Sequence, residues 1–178
     1  MESFLFVAGL GLFMGLVLRW GFLNLPKEKW QMAAAVPLRK NGQGAWQGLN
    51  LTWYGIFSAN AYAFSVVIFL ILAVSAGIPL PALVVLTVLL LAVTVPASRI
   101  VARVVEKKPA TLTVGGAVFA GTVAAPWLII LVNQTLGRFM DFRVPIPVLL
   151  AAISIAYAYG ESLGRLACMS SGCCYGKP

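Results

Sequence analysis

The chain has 178 residues, 61% of them hydrophobic and 10% charged, with a net charge of +8 and no histidine. A water-soluble domain carries about 25% charged residues, so the composition excludes that class and assigns an integral membrane protein, while long unbroken apolar runs exclude a β-barrel with its alternating strands. Basic residues scattered among short connections exclude a nucleic-acid interface, and the missing histidine removes the commonest general base and metal ligand.

The first apolar run, FLFVAGLGLFMGLVL at 4–18, predicts a span extending through Arg19 and Trp20 to about Leu25. The chain begins MESF, without a basic n-region or a following small-residue cleavage pattern, so the run reads as a retained span and not a signal peptide. Gly11 and Gly15 have the i, i+4 spacing that lets helices approach closely, although glycine is also ordinary content of membrane helices. Residues 26–48 form a polar, basic connection flanked by Trp30 and Trp46, which suit the headgroup region.

The second span, 51–76, opens with LTWYG and contains Asn60, whose amide calls for a hydrogen bond to another helix or a cavity. GIPLP is a tight, uncharged turn. The third span runs from about Ala82 to Ala97 and gives way to SRIVARVVEKKP at 98–109, where Arg99 and Arg103 share a face if the helix continues. The fourth, 111–132, starts with small residues, and Pro126 predicts a kink. NQTLGRFMDFRVPIP connects it to a fifth span at about 148–163. The expected fold is an all-α polytopic bundle of about five transmembrane helices.

The fifth span leads into GESLGRLACMSSGCCYGKP at 160–178, expected as a glycine-rich, partly irregular turn. All three cysteines are here. A structural zinc site needs four ligands, and adjacent Cys173 and Cys174 are hard to direct at one metal, so no metal site is assigned and a metal or redox role ranks last. Buried cysteine is more often a small hydrophobe. Glu161 and Arg165 are i, i+4 neighbours, so a local ion pair accounts for both without any ligand, and an arginine near a helix end also snorkels to the interface.

The order of these motifs, LTWYG, SRIVARVV, LTVGGAVFAG and SLGRLACMSSGCCYGKP, resembles the prolipoprotein diacylglyceryl transferase family over roughly residues 50–178. That family moves a diacylglyceryl group from phosphatidylglycerol to the thiol of a lipobox cysteine, with glycerol phosphate leaving. The resemblance implies a transferase-like membrane domain at 49–178, preceded by an extra helix and basic loop at 1–48. It places Arg165, after Gly164, as the arginine that holds the lipid phosphate. Gly172 and Gly176 match later glycines of the same signature, Tyr54 the tyrosine of Trp-Tyr-Gly, Arg99 the arginine of the second element, and Gly115 and Gly116 the glycines of His-Gly-Gly. Tyr54 and Cys168 would line the headgroup pocket.

The departures are specific. Val114 stands at the histidine position, Cys168 and Ser171 at the two asparagines, and Cys173 at the glutamate. The family continues where this chain stops, so two further spans and a second arginine are expected beyond Pro178, or else a shortened homologue. With no histidine, the thiol would need activation by Glu161, by another chain or by desolvation. The resemblance implies no cofactor. Its partners would be the bilayer, phosphatidylglycerol or another anionic lipid, and a lipobox prolipoprotein, at the bacterial plasma (inner) membrane. The alternative is a non-catalytic membrane subunit that keeps the fold for lipid or membrane-protein binding.

Orientation has two readings. Lys27, Lys29, Arg39 and Lys40, with Arg99, Arg103, Lys107 and Lys108, outnumber Arg138 and Arg143 across the membrane, which puts the richer loops in the cytoplasm. The resemblance implies the reverse.

Overall fold

In hydrocarbon a backbone amide has no water to bond, so an apolar run must satisfy its own N–H and C=O groups, as a helix does. The computed structural model of the protein describes residues 2–26, 30–105, 107 and 114–172. It has five helices long and apolar enough to cross a membrane: α1 (Glu2–Asn24), α2 (Trp53–Ser75), α3 (Leu80–Val104), α4 (Val114–Val132) and α5 (Ile146–Ser171). The protein is thus an all-α polytopic bundle. Large apolar side chains such as Leu12, Val88, Phe119 and Trp127 stand exposed along these helices and offer surface to lipid.

Two helices outrun their sequence-based limits. α3 passes through Pro96 and reaches Val104, so Arg99 and Arg103 are helical. α5 continues through Gly164 and Cys168 to Ser171, which replaces most of the expected irregular turn with helix. It ends at Gly172, whose φ of 71° lies in the left-handed region that closes helices. α2 ends in a Schellman motif: Gly77 (φ 78°) donates its N–H to Val74 O, and Ile78 donates to Ala73 O. Pro79, extended, and Pro81 then start α3.

The basic connection contains an antiparallel hairpin, β1 (Met32–Lys40) and β2 (Trp46–Thr52), irregular between Pro37 and Arg39. Its turn hangs on Asn41, whose Oδ1 accepts from the N–H groups of Gln43 and Ala45.

The chain divides into two compact units, residues 1–67 with 156–178, and residues 68–155. The first has a core of Met14, Leu25, Ala61, Leu163, Leu166 and Met169. Within it, Trp30 meets both Trp20 and Trp53 edge-on, with ring centroids 5.6 and 4.8 Å away. This aromatic chain suits an interfacial belt, where one part of each ring is apolar and the other wet. In the second unit α3 packs along α4. Leu83 and Ile129 are fully buried there, and a Cβ at Gly121 would lie 3.2 Å from Thr94 Cγ2.

Candidate functional site

The second half of α5 has two unlike faces. Leu163, Leu166, Ala167 and Ser170 are buried, and Leu166 covers Gly21 of α1. Gly160 lets α5 approach α2 at Ser65, whose hydroxyl donates to Ala156 O at 2.8 Å. The other face carries Tyr157, Glu161, Gly164, Arg165 and Cys168, at spacings that place them in one stripe.

On this stripe Arg165 Nη2 donates to Glu161 Oε1 at 2.9 Å. Tyr157 stands one turn before Glu161 on the same stripe. The pair is 59% and 38% exposed at its side chains, so packing has not closed over it. Its place along the helix is the telling feature. α5 has 26 residues, about 39 Å at 1.5 Å per residue. Glu161 lies within one turn of its midpoint and Arg165 within two. Ionised groups at such depth are costly in lipid and mark functional positions by default. Cys168, half-buried, follows one turn beyond Arg165.

The remaining expected site residues are distributed by unit. Tyr54 is in the first turn of α2, half-exposed, in the same unit as the α5 stripe. Thr52 caps that helix, its Oγ1 accepting from the Gly55 N–H at 3.2 Å. Arg99, Gly115 and Gly116 belong to the second unit. Arg99 is exposed on α3, while its neighbour Ser98 is buried. Gly115 is exposed at the start of α4 and Gly116 is buried. Gly176, Cys173 and Cys174 lie outside the described residues.

Asn60 departs from the expected contact with another helix. Its amide donates to Ile56 O of its own helix at 2.9 Å, a local bond that satisfies the donor one turn back. Tyr157 was a silent neighbour in the sequence. Its position four residues before Glu161 is the signal that assigns it to the stripe.

The stripe can present a planar cation to a phosphate oxygen, a carboxylate to a proton, and a phenol to either. No protein-family model, curated protein or solved structure matches this chain.

Proposed function

We propose that this protein is a bacterial plasma-membrane transferase of the prolipoprotein diacylglyceryl transferase kind. It takes phosphatidylglycerol, or a related anionic lipid, at the α5 stripe and passes the diacylglyceryl group to a cysteine thiol of a prolipoprotein. The observation that supports this reading is the Arg165–Glu161 pair, partly exposed on the face of a helix apolar and long enough to span a membrane.

The reaction asks for few protein groups. The acceptor sulfur attacks the glycerol carbon bearing the phosphodiester. A C–S bond forms as that C–O bond breaks, and glycerol phosphate leaves with the electron pair on its oxygen. Arg165 holds the phosphate and stabilises the growing charge, which a guanidinium does with a fixed donor fork. Glu161 is a carboxylate close to the middle of its span, and is the group this chain offers to the thiol proton. Tyr54 and Cys168 border the headgroup, with Gly164 and Gly172 leaving room beside it. Arg99, Gly115, Gly116 and Gly176 complete the set assigned to lipid binding through the resemblance.

The second reading is a non-catalytic subunit that binds lipid or a membrane partner with the same face. Val114 in place of the family histidine favours it, as does the engagement of Glu161 by Arg165, which weakens that carboxylate as a base.

The deciding experiment mixes purified protein with phosphatidylglycerol and a lipobox peptide, and looks for the diacylglyceryl thioether by mass spectrometry. Product that disappears in Arg165→Ala supports transfer. Arginine-dependent lipid binding without product selects the second reading. No product, together with equal lipid binding by wild type and Arg165→Ala, overturns both.

A further inference from the structure

A second polar feature sits where α4 gives way to α5. After Val132 the helix widens into a π-helical turn, Asn133–Gly137, a form of backbone often found at functional sites. The connection that follows is held firmly. Asn133 Nδ2 donates to Val144 O at 2.9 Å, and the Val144 N–H donates back to Asn133 Oδ1 at 2.7 Å. The Phe142 N–H donates to Gly137 O at 2.9 Å. The chain reverses at Asp141, whose φ of 51° is left-handed, a conformation that aspartate and asparagine tolerate better than most residues.

This turn surrounds a cavity of about 680 Å³, within the usual size of small-molecule sites. Arg138 and Arg143 line it from either side of Asp141. Among the described residues neither guanidinium makes an ion pair, and Asp141 makes none. The rest of the lining includes Ile130, Phe142 and Ile146. The cavity therefore combines a net positive part with an apolar wall, at the ends of two spans. A free anion uses only the first of these; a phospholipid uses both.

We propose that this cavity binds a phosphate group, that of an anionic phospholipid. Arg138 and Arg143 hold the phosphate oxygens by charge-assisted hydrogen bonds. The glycerol and the first acyl carbons rest on Ile130 and Ile146. The site is built from residues 130–147 alone and stands whether or not Arg165 serves a transferase.

The test uses the full chain in a neutral detergent. It is titrated separately with phosphatidylglycerol, phosphatidylcholine and inorganic phosphate, and adducts are counted by native mass spectrometry. Phosphatidylglycerol is expected to bind, and the exposed double variant R138Q/R143Q to weaken one binding component by at least about tenfold. R165Q leaves that component in place, which separates this site from the α5 stripe. D141N is expected to tighten it about threefold, because it removes a like charge and keeps a residue suited to the left-handed turn. A purely structural role for the arginines does not produce tightening. The single variants R138Q and R143Q give the same reading if the double variant does not fold. Phosphatidylcholine binding as strongly as phosphatidylglycerol, or R138Q/R143Q binding unchanged, overturns the proposal. Arginine-dependent binding of inorganic phosphate without binding of phosphatidylglycerol overturns the lipid assignment.

Discussion

Gly160 of α5 lies directly against Ser65 of α2: a Cβ at position 160 would stand 2.8 Å from Ser65 Cβ and 2.9 Å from its Oγ. Real Cβ atoms essentially never stand that close, so the Ser65 side chain leaves no room for one at position 160. Gly160→Ala is expected to destabilise by about 1–3 kcal/mol through overpacking, against the gain of roughly 1 kcal/mol that alanine brings to an ordinary helix position. Adding Ser65→Gly should restore part of the loss, whereas Ser65→Ala, which keeps the obstructing carbon, should not. Thermal unfolding in detergent reads these variants beside wild type and Ser65→Gly alone. An additive Ser65→Gly pair would show that the contact does not control the approach.

The Arg165–Glu161 pair contributes little to stability if its main task is to meet a ligand. Ligand binding requires the stripe to face a hydrated, headgroup-lined opening, and there an i, i+4 pair is worth about 0.3–0.5 kcal/mol. Arg165→Gln should therefore move the melting temperature only slightly, yet reduce anionic-lipid binding about tenfold or more. Arg165→Lys keeps the charge without the planar fork and should recover binding only in part. Calorimetry with micellar phosphatidylglycerol, beside a melting curve, separates the two effects. Full recovery by lysine would reduce the role of Arg165 to bulk charge.

Thr52 holds the first turn of α2 by accepting from the Gly55 N–H. Thr52→Ala is expected to cost about 0.5–2 kcal/mol, concentrated locally, with Tyr54 loosened on the same turn. Faster hydrogen exchange at the Gly55 amide, with little change near Ile68, is the expected pattern. Uniform acceleration along α2 would contradict it.

Asn133 satisfies both backbone groups of buried Val144. Asn133→Ala leaves them to find water or remain unpaired, at about 1–3 kcal/mol for each group left unsatisfied. The measurable outcomes are a lower melting temperature and proteolysis within 138–145. A variant as protease-resistant as wild type would mean that the turn is held elsewhere.

The spans were legible because hydrocarbon imposes one solution on a long apolar run, but their ends were harder to read. Pro96 and the glycines at 160 and 164 look like breakers in a water-soluble context. Membrane helices tolerate both, since proline's freed carbonyl finds local partners and glycine serves close packing. The hairpin is hard to read in the sequence for a different reason. Ala33 to Ala35 and Pro37 obscure the alternation of β1, although Asn41-Gly42 between the strands is a turn signal in plain view. At the site, spacing alone foretold the Glu161–Arg165 contact. Tyr54 and the glycines stand out only through the family resemblance, because ligand contacts are not encoded locally in a sequence. Asn60 shows the limit of reasoning from burial, because a membrane amide can be content with its own helix.

The Schellman turn after α2 bears on biogenesis. Between Ser75 and Leu80 the chain needs only Ala76, Gly77, Ile78 and Pro79, none of them charged. A connection this short gives the translocon no hydrophilic segment to hold back, so α2 and α3 are suited to enter the bilayer together as a helical hairpin. The topogenic information for that pair then resides in its flanks, with Arg39 and Lys40 before it and Arg99 and Arg103 at its end.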